Sequence, residues 1–289
     1  MHLTSKKTIQ FLCRKYDFWP SRSSGQNFLV SEKTLNKIVE SANLNSNDKV
    51  LEIGGGFGTL TTALLEKAGQ ITTVEMDKRL FGALQKISAV SPNLKAVLGD
   101  IFQNWKVISA GFPDLSYKLV ANLPYNITSL VLRNFLEYQP RPSAMTLLVQ
   151  KEVADRICAQ PGSLSLLSVA VQFFGSPRVI SYIPKSDFWP EPQVDSAILQ
   201  IKEIGKDPNN YLQSLNGLDQ KELFKIIKLG FSAKRKQLHN NLSGGLGVTG
   251  KEISKILSKI DLNQMIRAQE LSINQWIEIT KELEILARK

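Results

Sequence analysis

Four consecutive residues, Asn122-Leu123-Pro124-Tyr125, combine groups that could hold an aromatic amine. The exocyclic amine of a nucleobase is a poor nucleophile because its lone pair is delocalised into the ring. The Asn122 amide oxygen and the Leu123 carbonyl could each accept one of its N–H bonds and direct the lone pair towards a methyl donor. Pro124 stiffens the turn, and Tyr125 offers a flat ring on which an extruded base could stack. The alternative is an ordinary junction between a strand and a turn, where these residue types are common.

A glycine-rich turn upstream has the composition of a cofactor-binding loop. Lys49–Ile53 resembles a short buried strand, and Gly54-Gly55-Gly56-Phe57-Gly58 follows it at once. A strand, a glycine turn and a helix in this order form a nucleotide-binding unit, because glycines let the backbone approach a ligand closely. The G-x-G-x-G spacing, followed by Thr59, departs from the dinucleotide pattern and favours an adenosine ligand without a pyrophosphate. S-adenosylmethionine (SAM) is such a ligand, although many α/β proteins carry a glycine turn for packing alone.

Three further strand-like segments each lead to a polar residue, namely Glu75 after 71–74, Asp100 after 96–98 and Asn122 after 117–121. Glu75 lies 21 residues after Gly54, and a carboxylate at that separation is placed to accept hydrogen bonds from two ribose hydroxyls. Asp100 could bond the amine of an adenine. Taken singly, each acid could equally be a solvated loop residue or a helix cap. Four suitable residues at four successive strand ends favour one shared cofactor site.

The composition limits the possible chemistry. With 289 residues and 43% hydrophobic content, the chain can form one large globular domain and a small one. Cys13 and Cys158 are too few for a disulfide framework, and because His2 and His239 are the only histidines we expect no metal site. This argues against zinc deaminases and cluster-dependent radical enzymes. No apolar run has the length of a membrane span and no secretory signal is visible, so we expect no membrane association and a reducing compartment.

The formal charge of +10 is concentrated at the two ends of the sequence. Residues 1–33 carry +4, residues 34–220 are neutral, and residues 221–289 carry +6. This distribution predicts contact with a polyanion through its phosphates, while a merely soluble lysine-rich surface is the alternative. The candidate RNA-binding residues share helical spacing or adjacency in the C-terminal part, and they are Lys221, Lys225, Lys228, Lys234, Arg235 and Lys236.

Strand-like and helical segments alternate from residue 49 to about residue 202, which predicts a doubly wound α/β sheet. The last two strand-like segments, Arg178–Ile183 and Ser196–Ile201, have no full helix between them and predict an antiparallel hairpin at the edge of the sheet. We therefore expect two domains, 1–206 with a basic lead-in and 207–289.

The C-terminal domain is predicted to be all-helical, because no strand-like segment follows the linker-like residues 205–210. Thr249–Glu252 and Ser272–Gln275 each match a capping box and predict the start of a helix. Gly244–Gly247 predicts a break between two helices. A short helix is also expected near the N-terminus, around Thr8–Lys15.

These motifs together resemble the ribosomal RNA small-subunit adenine dimethyltransferase family. The similarity runs from about residue 23 to residue 289, and the matching segments include 25–29, 51–61, 74–77, 99–100, 122–129, 150–156, 188–197 and 234–242. The resemblance implies a Rossmann-like class I SAM-dependent methyltransferase domain followed by a small helical RNA-binding domain. It also implies methyl transfer to N6 of two adjacent adenosines in a hairpin loop near the 3′ end of 16S rRNA. The expected protein is a cytoplasmic monomer that acts late in assembly, on the immature small subunit.

The resemblance also assigns roles at matching positions. Asn27 and Leu29 would contact the cofactor from an N-terminal segment that closes over it, and the rest of the cofactor site would be Gly54, Glu75, Asp100 and Asn122. The catalytic set that holds the target base would be Asn122, Leu123, Pro124, Tyr125 and Phe188. Phe188 begins a Phe-x-Pro-x-Pro-x-Val-Asp-Ser segment and would stack on the second face of the base. The alternative for Phe188 is packing in the core.

Several positions depart from the family pattern. Gly55 stands where Pro is usual, a change that we expect to be tolerated. Residues 163–167 read Ser-Leu-Ser-Leu-Leu instead of Tyr-Gly-Arg-Leu-Ser, and His239 replaces an Arg. Ser23-Ser24 replaces part of a basic pair. We expect the last three departures to alter contacts with RNA and to leave the reaction unchanged.

Three other functions are alternatives. A resistance methyltransferase acting on large-subunit rRNA would share the cofactor loop and a similar Asn-x-Pro-Tyr motif, but such proteins tend to be shorter, and the extension 221–289 matches the small-subunit family better. A non-catalytic RNA-binding factor could have kept the fold, although the intact Glu75, Asp100 and Asn122 argue against lost chemistry. A DNA adenine methyltransferase is the third alternative.

Overall fold

The computed structural model describes residues 2–21, 25–207 and 209–287. The chain divides into two units, of which the first contains Met1–Asp155 and Ser176–Gly205 and the second contains Arg156–Gly175 and Lys206–Lys289. Residues 156–175 interrupt the first unit in sequence and pack with the C-terminal residues. The sequence-based division after residue 206 instead assigns this segment to the N-terminal domain.

The first unit is built on a seven-stranded sheet and a separate two-stranded ribbon. The strands are, in chain order, β1 Phe28–Leu29, β2 Lys49–Ile53, β3 Gln70–Glu75, β4 Leu94–Leu98, β5 Tyr117–Asn122, β6 Ala144–Gln150, β7 Ser176–Ile183, β8 Phe188–Trp189 and β9 Ser196–Lys202. The order in the large sheet is β4-β3-β2-β5-β6-β9-β7. The first five of these strands run parallel, and β9 is antiparallel to both of its neighbours. The predicted doubly wound sheet is confirmed.

The α-helices of the described residues are, in chain order, α1 Lys6–Lys15, α2 Glu32–Ser41, α3 Thr59–Leu65, α4 Lys78–Ser88, α5 Trp105–Ile108, α6 Thr128–Glu137, α7 Lys151–Ile157, α8 Leu166–Phe174, α9 Tyr211–Leu215, α10 Gln220–Gly230, α11 Leu238–Leu246, α12 Gly250–Lys259 and α13 Ile273–Ala287. Helix α1 includes the N-terminal helix predicted around Thr8–Lys15. Within the described part of the chain, no helix has the combination of length and apolar character that crossing a bilayer requires.

Both faces of the sheet are covered, which explains the continuous apolar runs of the central strands. On one face, Ile38 of α2 and Leu64 of α3 belong to the same buried cluster as Val50, Val120 and Leu148 from three neighbouring strands. All five side chains have no exposed surface. The apolar residues of these strands therefore hold the sheet against helices and fix where the strands end.

Aromatic rings cover the opposite face near β5. The Trp105 ring of α5 lies 4.7 Å from that of Phe135 of α6 and 6.4 Å from that of Tyr117 on β5, measured between ring centroids. The Tyr117 hydroxyl donates a hydrogen bond of 2.9 Å to the Pro140 carbonyl. Burial raises the pKa of Tyr117, so this hydroxyl stays protonated. These contacts anchor the strand that leads directly into the Asn122 motif.

The prediction of an edge hairpin is half right. β7 and β9 are antiparallel, as expected, and β7 is the edge strand. β9, however, is inserted between β6 and β7, so it lies inside the sheet. The residues between β7 and β9 also contain β8, which pairs with β1 through Phe28↔Trp189 and Leu29↔Phe188. The sequence could not indicate this ribbon because its two strands are only two residues long.

All regular secondary structure in the described residues 209–287 is helical, in agreement with the prediction. Helices α10 to α13 bury apolar faces against one another, and Leu223, Ile227, Leu257 and Trp276 have no exposed surface. Both predicted capping boxes are present. The Thr249 hydroxyl accepts the Glu252 N–H at 3.2 Å, while Glu252 Oε2 accepts the Thr249 N–H at 2.8 Å. The Ser272 box is made in the same way with Gln275.

The prediction of a helix break at Gly244–Gly247 is correct only at its last residue. Gly244 and Gly245 lie inside α11, which ends at Leu246, and Gly247 then adopts a φ of +69°. A Cβ at Gly245 would lie 2.5 Å from Leu229 Cδ2 of α10. Gly245 therefore permits two helices to approach closely, and only Gly247 terminates the helix through a left-handed conformation.

Candidate active site

A cavity of about 490 Å³ opens at the carboxyl ends of the parallel strands in the first unit. The strand order reverses between β2 and β5, and open α/β sheets bind ligands beyond the strand ends at such a point. The cavity lining includes nine of the residues selected from the sequence, which are Asn27, Leu29, Gly54, Glu75, Asp100, Asn122, Leu123, Pro124 and Tyr125. The structure thus brings together every predicted cofactor residue and four of the five residues predicted to hold a base.

The glycine turn is tight because three of its residues have positive φ angles. The values are +78° for Gly54, +57° for Gly56 and +87° for Gly58, a conformation that other residues rarely adopt. A Cβ at Gly54 would lie 3.9 Å from the Asn122 carbonyl oxygen and 3.9 Å from Pro124 Cδ. The turn therefore passes close beside the Asn122 motif, and the two predicted half-sites form one cavity.

Gly55 is required by its neighbours and not by its backbone angle. A Cβ at this position would overlap the Thr73 hydroxyl on β3 and would lie 2.9 Å from Leu84 Cδ1 on α4. Contacts that close force neighbouring atoms to move, so a side chain here overpacks the site. The family's usual Pro at position 55 would need space that Thr73 fills in this chain.

Glu75 is buried, with 6% of its surface exposed, and its carboxylate is oriented by the backbone. Glu75 Oε2 accepts the Gly56 N–H at 2.9 Å, and Oε1 accepts the Asp77 N–H at 3.0 Å. Burial raises the pKa of this carboxyl, and the backbone hydrogen bonds oppose that effect. Each carboxylate oxygen has a second lone pair, so Glu75 can also accept hydrogen bonds from a pair of ribose hydroxyls.

Asp100 is oriented in a similar way at the end of β4. Its Oδ1 accepts the Phe102 N–H at 2.7 Å and the Gln103 N–H at 3.0 Å. Because both of these bonds use one oxygen, Oδ2 can accept a hydrogen bond from an amine such as that of adenine. Asp100 and Glu75 thus offer fixed acceptors at neighbouring strand ends.

The Asn122 amide is held by the segment that precedes β1. Asn122 Nδ2 donates to the Asn27 carbonyl oxygen at 3.2 Å, and Asn27 Nδ2 in turn donates to the Gly25 carbonyl at 3.2 Å. Since an amide carries its donor and its acceptor on opposite sides, fixing the NH₂ group fixes the direction of Oδ1. Asn122 therefore presents an oriented acceptor, the group that an amine substrate needs.

Tyr125 is fixed by a hydrogen bond to a buried serine. Its hydroxyl lies 2.8 Å from Ser196 Oγ, and Ser196 has no exposed surface. Burial raises the pKa of Tyr125, which keeps the phenol neutral. Pro124 has a φ of −54°, and the Leu123 N–H donates to the Leu148 carbonyl at 3.3 Å. The whole motif is consequently held against the sheet.

Phe188 does not line the cavity. Its side chain is 3% exposed and belongs to the buried cluster that contains Leu29 and Ile183. The pairing of Phe188 with Leu29 in the ribbon places the ring in the core. A ring buried in this way offers no face to a base, so the structure favours packing, the alternative from the sequence, over the stacking role.

Glu52 is a cavity residue that the sequence reasoning missed. It lies on β2 with 1% of its surface exposed, and its Oε2 accepts the Thr61 hydroxyl at 2.6 Å. Burial raises the pKa of Glu52 to about 7, and the hydrogen bond from Thr61 opposes the shift. An acidic residue inside an apolar strand run, two positions before the first glycine of the turn, was the available signal.

Three phenylalanines from separate segments, Phe18, Phe28 and Phe57, form a cluster that we call the aromatic wall. Phe28 and Phe57 stack at 5.0 Å between centroids and both line the cavity. Phe18 contacts each of them edge to face at 5.9 Å and has no exposed surface. Sequence reasoning missed this cluster because the three residues are far apart in the chain.

The residues predicted to bind RNA lie in the second unit. Lys221, Lys225 and Lys228 are exposed on α10, whose opposite side is buried. Lys225 Nζ forms an exposed ion pair with Glu222 Oε1 at 3.1 Å. Lys234, Arg235 and Lys236 are exposed in the segment between α10 and α11. The helical spacing is confirmed, and the RNA contact stays a prediction.

Two of the departures from the family pattern have structural roles. Ser165 caps α8, because its hydroxyl accepts the Ser168 N–H at 3.2 Å and Ser168 Oγ accepts the Ser165 N–H at 2.6 Å. His239 Nδ1 lies 3.0 Å from the Gln264 carbonyl oxygen. The departure at Ser23-Ser24 lies outside the described residues.

Sequence comparison finds one family over most of the chain. The profile described as "Ribosomal RNA adenine dimethylase" matches residues 20–284. A protein of Dehalococcoides mccartyi named "Ribosomal RNA small subunit methyltransferase A" is 39% identical over 261 residues, which are 90% of this chain and 87% of that protein. A protein of the same name from Fusobacterium nucleatum is 37% identical over 270 residues, covering 93% and 99%.

Solved structures give the same result for the fold. A dimethyladenosine transferase from Plasmodium falciparum aligns with a TM-score of 0.73 and 26% identity, over 90% of this chain and 98% of that one. The 23S rRNA methyltransferase ErmE aligns with a TM-score of 0.66 and 24% identity, over 89% and 100%. At that identity the second comparison concerns the fold alone.

Proposed function

The chain belongs to the ribosomal RNA adenine dimethylase family and is a SAM-dependent rRNA adenine dimethyltransferase, and on that premise we propose its substrate. The substrate is a pair of adjacent adenosines in the hairpin loop near the 3′ end of 16S rRNA. Each adenosine receives two methyl groups at N6. The protein acts as a cytoplasmic monomer on the immature small subunit, late in its assembly.

The donor groups in the cavity suit SAM. Glu75 and Asp100 offer oriented carboxylate acceptors to a ribose and an adenine amine, and the glycine turn leaves room for a ligand against its backbone. Asn27 and Leu29 line the same cavity from the N-terminal side. When bound, SAM supplies an electrophilic methyl group on a sulfonium.

The orientation of the Asn122 amide is the observation that carries the proposal. Because Asn27 holds its NH₂ group, Asn122 Oδ1 can accept one N–H of the target amine, and the Leu123 carbonyl can accept the other. Two acceptors hold the nitrogen so that its lone pair points away from both. Tyr125 supports one face of the base from a ring fixed by Ser196. No strong general base is needed, since the amine loses its proton after attack, so positioning supplies most of the catalysis.

The second unit is proposed to hold the rRNA around the target. Its exposed lysines on α10 and its Lys234-Arg235-Lys236 cluster can neutralise phosphates, which gives affinity without sequence specificity. The proposal divides the chain into a catalytic domain, 1–206, and an RNA-binding domain, 207–289. Residues 156–175 are the exception to this division, because they pack with the second unit and are assigned to the RNA-binding part.

Radiolabelled methyl transfer to unmethylated small subunits, followed by nucleoside analysis, tests the proposal. We expect N6,N6-dimethyladenosine at two adjacent positions near the 3′ end of 16S rRNA. Large subunits and duplex DNA serve as controls and should accept no label. Label in large-subunit rRNA would support the resistance methyltransferase, label in DNA would support the DNA enzyme, and no label in any substrate would support a non-catalytic factor.

A further inference from the structure

An exposed indole stands on the N-terminal segment next to the aromatic wall. Trp19 has 61% of its surface exposed, although its neighbour Phe18 is fully buried. We propose that Trp19 is a stacking site for an unpaired nucleotide of the RNA substrate, outside the cavity that receives the target base. This inference rests on the proposed function, since it assigns a further contact to the same substrate.

The backbone around Trp19 is fixed by the way in which α1 ends. The Asp17 N–H donates to the Arg14 carbonyl at 3.3 Å, and the Phe18 N–H donates to the Cys13 carbonyl at 2.9 Å. Asp17 has a φ of +47°, which completes a Schellman motif. The motif turns the chain so that Phe18 enters the core, and the next side chain, Trp19, is directed to solvent. The indole is therefore presented from an ordered backbone, which lowers the entropy lost on binding.

Arg79 strengthens this local structure. Its Nη1 donates to the Asp17 carbonyl at 3.3 Å, and its guanidinium lies 5.0 Å from the centroid of the Phe18 ring. Phe18 in turn contacts Phe28, which lines the cavity. Phe18, on one side of this segment, thus supports the cavity wall, while Trp19 projects from the other side.

The same segment is tied to the cavity beyond Trp19. The Ser21 N–H donates to Gln26 Oε1 at 3.0 Å, and the Gln26 N–H donates to the Ser21 carbonyl at 3.3 Å. Gln26 lines the cavity. These two hydrogen bonds place Ser21, two residues after Trp19, directly beside a residue of the cavity wall, so an RNA strand with one base in the cavity has other nucleotides within reach of the indole.

The charge around Trp19 suits a polyanion. Helix α1, which ends four residues before Trp19, exposes Arg14 and Lys15 in its last turn, and it exposes Lys6 and Lys7 at its far end. Lys86 of α4 adds a further cation and lies 5.1 Å from the centroid of the Tyr16 ring. Against these, residues 2–21 contain one acid, Asp17. An aromatic ring among cations is the arrangement that binds single-stranded nucleic acid, by stacking and by phosphate contacts.

Two variants and a matched control test the stacking site. Trp19→Ala removes the ring and Trp19→Phe retains a smaller one, and neither change touches the core because Trp19 is exposed. Tyr138→Ala is the control, since Tyr138 is 55% exposed and lies in the connection from α6 to β6, at the opposite ends of the strands from the cavity. Each protein is titrated with the 16S hairpin as a synthetic RNA and assayed for methyl transfer to small subunits.

We expect Trp19→Ala to raise the Kd for the hairpin and the KM for small subunits by about 10-fold, within the range for one stacked base. The kcat and the affinity for SAM should not change. Trp19→Phe should restore most of the RNA affinity. RNA should quench tryptophan emission of the unaltered protein more than that of Trp19→Phe, because the other three tryptophans, at 105, 189 and 276, are partly or wholly buried.

If Trp19→Ala and Tyr138→Ala bind RNA with equal affinity, the stacking site is wrong. Methyl transfer by the unaltered protein would still support the proposed function in that case. A KM effect on small subunits without any effect on the isolated hairpin would also overturn it, in favour of a ribosomal protein contact. If the unaltered protein methylates no small subunits but its emission is still quenched through Trp19, the proposed function fails and the stacking site stands.

Discussion

At the scale of single residues, the hydrogen bond from Asn122 to the Asn27 carbonyl decides which atom of the amide meets a substrate. The amide could otherwise turn and offer its NH₂ group, which would repel the N–H bonds of an amine. The bond also links the residue proposed to hold the base to the segment proposed to cover the cofactor.

Replacing Asn122 tests this arrangement. Asn122→Ala removes the oriented acceptor, and we expect kcat to fall by about 100-fold, as when one preorganised hydrogen-bonding group is lost. The Kd for SAM, measured by calorimetry, should change much less because Glu75, Asp100 and the glycine turn are intact. Asn134→Ala on α6 provides a control amide outside the cavity lining and should retain activity. Near-normal turnover by Asn122→Ala would contradict the assigned role.

The buried Glu52 predicts a pH-dependent stability. Its pKa rises from the ordinary 4.5 to about 7 on burial, so the folded protein binds this proton more tightly than the unfolded chain. The contribution is fully present below pH 4.5 and is lost as the pH rises through 7. Glu52→Gln should not show this loss. Between pH 4.5 and pH 8, its free energy of unfolding should therefore rise by on the order of 3 kcal/mol relative to that of the unaltered protein.

Thermal unfolding between pH 4.5 and pH 8 measures this effect. The melting temperature of the unaltered protein should fall with rising pH more steeply than that of Glu52→Gln. Glu66→Gln is the matched control because Glu66 is exposed at the end of α3, and its curve should follow that of the unaltered protein. Parallel curves for all three proteins would refute the buried titration.

The sequence could locate Glu75, Asp100 and Asn122 because strand ends are readable from apolar runs and parallel strands end on one side. It could not decide between the two roles of Phe188. That choice depends on the pairing of Phe188 with Leu29, which joins residues far apart in the chain. Burial of a single ring is set by such tertiary contacts, and local pattern does not contain them.

At the scale of elements, α1 and the chain that follows it support the cavity from outside. Ile9, Leu12 and Cys13 of α1 share a buried cluster with Phe18 and Phe57. Burial raises the pKa of the Cys13 thiol to about 11, so this cysteine acts as an apolar core residue. The N-terminal helix is thus packed against the glycine turn through the aromatic wall.

Phe18→Ala should weaken the cofactor site through this packing. Truncating a buried phenylalanine costs about 3–5 kcal/mol of stability. We also expect the Kd for SAM to rise roughly tenfold, equivalent to about 1.4 kcal/mol, because Phe28 and Phe57 lose their support. Phe112→Ala is the control, since Phe112 is also buried but contacts Tyr117 and not the aromatic wall. An equal change in SAM affinity for both variants would mean that general destabilisation is the cause.

Elements with strong local signals were predictable, and elements defined by tertiary pairing were not. The strands of the sheet follow from apolar runs, and α12 follows from the Thr249 capping box. The insertion of β9 inside the sheet depends on which neighbour it bonds, and the role of Gly245 depends on the nearness of Leu229. Neither the position of β9 nor the role of Gly245 can be inferred from a short stretch of sequence.

At the scale of the whole molecule, the excess of positive charge at the two ends of the chain predicts a strong salt dependence of rRNA binding. Replacing Lys234, Arg235 and Lys236 together with Ala should weaken binding at all salt concentrations. The slope of log K against log salt should become shallower by about 2–3, close to one for each phosphate that is no longer neutralised. Filter binding of 16S rRNA across a range of salt concentrations measures both quantities.

A charge-matched control separates specific phosphate binding from net charge. Lys67, Lys95 and Lys202 are exposed in the first unit, and all three lie towards the amino ends of the parallel strands, away from the cavity. Their triple replacement with Ala removes the same charge and should change the slope little. If the two triple variants behaved alike, net charge alone would account for the affinity.

The close approach of Gly55 to Thr73 has a consequence for mutagenesis of the loop. A side chain at position 55 needs the space that the hydroxyl of residue 73 fills, so the two positions are interdependent. A variant library that changes position 55 alone should therefore recover only glycine. A library that also allows a smaller residue on β3 should admit larger residues into the loop.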